Sequence, residues 1–75
     1  MIRELDAVVL ECDLPQHGLR RGDVGTVVLV HDKGAGYEVE FTALDGETVA
    51  VATLSAPQLR ETGGGEIAHA RAFAV

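Results

Sequence analysis

Gly22-Asp23-Val24-Gly25-Thr26-Val27-Val28-Leu29-Val30 is the stretch whose reading decides the fold. Two glycines three apart open a β-branched run, and a loop marked by Pro15 and Gly18 leads into it. Glycine admits backbone conformations that other residues adopt only under strain, and it lets a second segment approach closely. Val, Thr and Leu then suit a pleated, partly buried surface. A loop turning sharply into a long, bent strand is what a small closed or nearly closed β-barrel requires.

Outward from this block the pattern is regular. Asp6 to Cys12 alternates as a first strand with Val8 and Leu10 inward, and Asp13 to Gly22 is a loop whose Leu14 and Leu19 are expected to pin it over the core. The second strand is expected over Gly25–His31, followed by a flexible turn at Asp32–Gly36. Tyr37-Glu38-Val39-Glu40-Phe41 alternates without a fault, apolar on one face and carboxylate on the other. Asp45-Gly46 is the signal of a tight hairpin into a fourth strand, Thr48–Leu54. Ser55 to Leu59 reads as one helical turn with Ser55 as N-cap and Pro57 in the first turn, and Arg60-Glu61 as the start of a short fifth strand. The expected core is Val8, Leu10, Leu14, Leu19, Val24, Val28, Val30, Val39, Phe41, Val49, Val51, Leu54 and Leu59.

This order of strand, long loop, strand, turn, strand, hairpin, strand, helical turn and short strand is that of an all-β, SH3-like barrel of about five strands. The domain is expected over residues 1–61. Thr62 to Gly65 then reads as a linker, and Glu66 to Val75 as an Ala-rich, loosely packed tail, so 62–75 lie outside the barrel.

Charge and cysteine content narrow the function classes. The 75 residues carry twelve acidic and six basic side chains, a formal net charge of -6. Nucleic-acid binders need a Lys/Arg footprint to displace counterions from phosphates. Here the local basic residues are only Arg20 and Arg21, with a single lysine, Lys33. Cys12 is the one cysteine, so no intrachain disulfide forms, and a reducing cytoplasm is the expected compartment. Arg3, Glu4 and Asp6 interrupt any secretory h-region, and the longest apolar run, Val27–Val30, is far too short to span a bilayer. A chain of this size has a small stability surplus, so a protein partner or a second copy would contribute to it.

Catalytic and metal chemistry find little support. Ser55 is the only serine and its expected role is capping. Cys12 sits at a strand end, as a small buried hydrophobe does. Cys12, His17, His31 and His69 match no zinc spacing, so no metal or cofactor is expected. Glu38 and Glu40 share one strand face and, with Glu47 across the hairpin, make a candidate acidic patch for protein binding, its carboxylates expected to be solvated. The loop from Asp13 to Asp23 adds His17, Arg20 and Arg21 as further candidate contacts. Thr48–Leu54 has no polar face; either it is central and covered twice, or its Ala50/Ala52/Leu54 face meets a partner, which leaves self-association open.

Leu5-Asp6-Ala7-Val8-Val9-Leu10, Asp13-Leu14-Pro15, His17-Gly18-Leu19 and Gly22-Asp23-Val24-Gly25-Thr26-Val27 together form a block that resembles a family of short, uncharacterised bacterial proteins known as a domain of unknown function. Tyr37–Phe41 and Asp45-Gly46 match its later part, and the likeness runs over about residues 5–60. The Gly-x-x-Gly-x-Val core is also similar to the KOW motif of ribosomal and transcription-elongation proteins and to other SH3-like barrels. The resemblance implies a fold and transfers no activity. The expected function is a non-catalytic protein-interaction module, with the acidic neutralising partner of a basic protein (immunity- or antitoxin-like) as one form. The alternative is a KOW-like nucleic-acid or ribosome-associated module, which the charge disfavours.

Overall fold

The β-branched run after Asp23 forms the longest strand, and the rest of the sheet is arranged around it. The computed structural model describes residues 1–73. Five strands, β1 (Ala7–Leu10), β2 (Val24–His31), β3 (Gly36–Thr42), β4 (Thr48–Leu54) and β5 (Leu59–Glu61), pair antiparallel in the order β4-β3-β2-β1-β5. The two halves of β2 serve different neighbours. Val24 to Thr26 pair with β1, and Thr26 to His31 pair with β3. Between Val27 and Leu29 the register shifts, and a bulge of this kind bends a strand and increases its twist. One strand shared between two half-sheets folds the sheet over its own core, which is the SH3-like arrangement expected from the sequence. A single 3-10 turn, Ala56–Gln58, carries the chain from edge strand β4 to edge strand β5. Ser55 precedes it as N-cap, and its N–H donates to Gln58 Oε1 at 2.9 Å.

The core is the inner face of this fold: Val8, Leu10, Val27, Tyr37, Val39, Phe41, Ala52, Leu54 and Leu59, closed by Leu14 and Leu19. Those two leucines bridge each other across the β1–β2 loop and are buried, as expected. Three expected core residues are instead on the surface: Val24, Val28 and Val51 are 51%, 41% and 52% exposed. Val30 and Val49 are only partly buried. The reason lies in β2. Gly25 points inward, where a Cβ would meet the side chains of Val39 and Phe41. That sets the alternation so that Val27 follows it inward and Val24 faces out. The bulge then absorbs Val28, and Leu29 emerges opposite the outward Glu38.

The fourth strand corrects both readings of its faces. It is an edge strand rather than a central one, and its alanine face is the one turned inward. Ala50 and Ala52 lie opposite Phe41 and Val39, so a small side chain fits where the larger neighbour fills the layer. Asp45-Gly46 does not make a two-residue hairpin. The connection runs from 43 to 47, with Gly46 N–H on the Ala43 carbonyl at 2.9 Å and Gly46 at φ +92°. β1 is also shorter than expected: the Glu11 N–H goes to the Gln58 carbonyl at 2.8 Å.

Beyond β5 the tail has no helix or strand among the described residues, yet it is anchored. Arg60 clamps Glu66, Arg71 grips Asp23, and Phe73 packs against the core. The last two residues of the expected tail lie outside the described residues. Among the described residues no helix is long and apolar enough to cross a membrane.

Candidate functional site

Strict alternation on β3 puts Glu38 and Glu40 on the outer face of the sheet, where the register sets each against a β4 residue, Thr53 and Val51. The carboxylates are not the freely solvated groups expected from the alternation; both are half-buried and held by neighbours. Glu38 Oε2 lies 2.7 Å from His31 Nε2, and both its oxygens accept from Thr53 Oγ1 at 2.9 Å. The His31 contact, then the Thr53 hydroxyl, hold the Glu38 carboxyl below its ordinary titration range. Glu40 accepts from Thr48 Oγ1 at 2.6 Å. Glu38, stabilised in its charged form, is a fixed negative charge rather than a proton carrier poised near neutrality.

Between these charges lie exposed aliphatic side chains. Leu29 faces Glu38 from β2, Val51 faces Glu40 from β4, and Val28 and Val24 extend the set along β2. The aliphatic half of this face was missed in the sequence because Val24, Val28 and Val51 read as core. The faultless alternation of β3, combined with its register, is the signal that could have found it. Glu47, the third expected acidic residue, is exposed in the β3–β4 loop, beside the Thr48 that bonds Glu40. Its own N–H is tied to Asp45 Oδ1 at 3.0 Å.

The expected loop contacts form a separate cluster. Pro15–His17 make a 3-10 turn that ends at Gly18 in the left-handed region, φ +70°. His17 is half-buried at the end of this turn, and its N–H reaches the Leu14 carbonyl at 3.0 Å. Arg20 and Arg21 are exposed, their backbone N–H groups held at 2.8 Å by the carboxylates of Asp23 and Asp13. The basic pair therefore sits between two acidic groups. Among the described residues no hydrogen bond or ion pair joins this loop to Glu38, Glu40 or Glu47, and no cluster of three His, Cys, Asp or Glu side chains could hold a metal ion. Cys12 is free and half-buried.

The family model of a domain of unknown function, DUF4926, matches residues 4–61. The chain belongs to this family. No curated protein and no solved structure matches it. The DUF4926 match covers all five strands and stops where β5 ends at Glu61, so the anchored tail lies outside it.

Proposed function

We propose that this DUF4926 domain is a non-catalytic protein-interaction module that meets a basic partner with the outer face of β2, β3 and β4. The observation that carries the reading is the interleaving of exposed Leu29 and Val51 with the tethered carboxylates of Glu38 and Glu40. Exposed aliphatic side chains supply apolar area that holds a complex, and charges of one sign raise the encounter rate and select the partner. A net charge of -6 adds to the same field. An acidic, neutralising partner of a basic protein, in the manner of an immunity protein or antitoxin, is the form that fits this chemistry.

The test starts from a partner recovered with the immobilised chain and identified, then follows association kinetics at two salt concentrations. Glu38→Lys with Glu40→Lys should slow association several-fold and flatten the salt dependence, and Val51→Asp should speed dissociation. Unaltered rates and salt slope in folded variants would exclude this face. A second reading, a KOW-like nucleic-acid module, is favoured by one observation: the exposed Arg20 and Arg21 side chains make no hydrogen bond or ion pair among the described residues. It requires salt-dependent binding to RNA or duplex DNA that disappears on replacing both with alanine.

A further inference from the structure

We infer that the notch around Asp23 is a recognition site for an arginine in an extended segment of a partner protein, and that this chain's own tail occupies it in cis. The inference goes beyond the outer-face reading and uses none of its residues. Asp23 is the acidic residue of the Gly22-Asp23-Val24-Gly25 block, and its side chain is only 17% exposed. Arg71, 48 positions along the chain and 23% exposed, forks onto it: Nε donates to Oδ1 at 2.8 Å and Nη2 to Oδ2 at 2.5 Å. Nη2 also donates to the Gly18 carbonyl at 3.2 Å. A planar guanidinium on a carboxylate and a carbonyl is directional recognition, beyond simple charge attraction.

The notch is built without the tail. The Arg20 N–H donates to Asp23 Oδ2 at 2.8 Å and holds the carboxylate in place. Beside the seated Arg71 side chain, Asp13, Pro15, Gly18, Leu19 and Arg20 line the rest of a shallow groove of about 270 Å³. All these residues fall within the family match at 4–61, whereas Arg71 lies beyond it. The receptor side therefore belongs to the domain and the occupant to an appended segment. Beyond the Glu66 clamp, contact along that segment is local. Ile67 and His69 are exposed, then Arg71 is seated and Phe73 packs against the core two residues later. The chemistry selected is an extended segment with an arginine two residues before a large apolar side chain.

Linkage conceals the site in the intact chain. A short flexible connection holds its ligand at an effective concentration on the order of 1 mM. If the free segment binds with a Kd of about 100 µM, the tail raises the apparent Kd roughly tenfold by competition. The test uses a fluorescent peptide of residues 66–75 and the full-length chain. The Arg71→Ala chain should bind the peptide at least about tenfold more tightly than the native chain does. A peptide with alanine in place of its arginine should not bind, and adding Asp23→Asn to the Arg71→Ala chain should abolish binding while an Asn side-chain oxygen still accepts the Arg20 N–H. If the Asp23 variant unfolds, the alanine peptide carries that arm. Should Arg71→Ala unfold, the native chain serves: millimolar peptide should shift the Arg71 Nε–H resonance towards its solvent-exposed position. A folded Arg71→Ala chain that ignores the peptide, equal binding of the alanine peptide, an Arg71 resonance unmoved by the peptide, or a dimer held by exchanged tails would each overturn the inference.

Discussion

Gly25 is expected to be the least replaceable glycine in the chain, and for a steric reason rather than a conformational one. Its φ is not in the left-handed region, so alanine or valine could adopt its backbone conformation. The obstacle is space. A Cβ there would lie 2.6 Å from Val39 Cγ1 and 2.8 Å from Phe41 Cε1, where carbon atoms normally rest about 3.5–4.0 Å apart. Val39 and Phe41 are 0% and 2% exposed, so neither has solvent to retreat into. Displacing each side chain by about 30° costs roughly 0.5–1.5 kcal/mol, which for two residues agrees with the ~1–3 kcal/mol of overpacking in general. Alanine recovers about 0.4–1 kcal/mol by restricting the unfolded chain. Gly25→Ala should therefore cost about 1–2 kcal/mol, and Gly25→Val, which forces further methyl groups into the same space, about 3 kcal/mol or more. For a domain of this size each kcal/mol lowers Tm by about 4–8 °C, easily read by thermal or urea denaturation followed by circular dichroism. The clash also predicts coupling: in a Val39→Ala background Gly25→Ala should be milder by about 1 kcal/mol. An unchanged midpoint for Gly25→Val, or an equal cost of Gly25→Ala in both backgrounds, would refute the reasoning.

Three further expectations follow from the same structure. Lys33 is exposed and holds φ +57° in the β2–β3 turn, so Lys33→Gly should stabilise by a few tenths to about 1 kcal/mol, the relieved strain exceeding the added chain entropy; a lowered Tm would contradict this. The Arg60 guanidinium, with the Gly63 N–H second, holds the Glu66 carboxyl down at about 2 against its ordinary 4.5. A depressed folded-state value means the clamp is complete above about pH 4.5 and is lost as pH falls towards 2, so the Gly63 amide resonance should titrate near 2, and a midpoint near 4.5 would show the clamp absent in solution. Fluorescence anisotropy with generic RNA and duplex DNA at physiological salt should show no binding tighter than about micromolar, because a chain of net charge -6 has few cations with which to release counterions.

Where polar and apolar residues alternate, the amino-acid sequence alone determined the structure. β3 is the clearest case: its carboxylates cannot face the core, so Tyr37, Val39 and Phe41 must, and the strand and its inner face were legible residue by residue. The same holds for the loop pinned by Leu14 and Leu19, and for the Ser55 cap, both set by short-range chemistry. From Val24 to Val30 Thr26 is the one polar residue, so no periodicity announces the strand's phase. The close approach of Gly25 to Val39 and Phe41, and a bulge that consumes Val28, decided it, and both depend on a neighbouring strand. β4 likewise offers valines on one side and alanines on the other, and only the bulk of Phe41 and Val39 across the ladder selects the alanines for the interior. The outer face and the Asp23 notch have the same origin. Leu29 meets Glu38 through strand register, and Arg71 meets Asp23 across 48 residues, because pairing and chain reversal bring together groups that sequence spacing keeps apart.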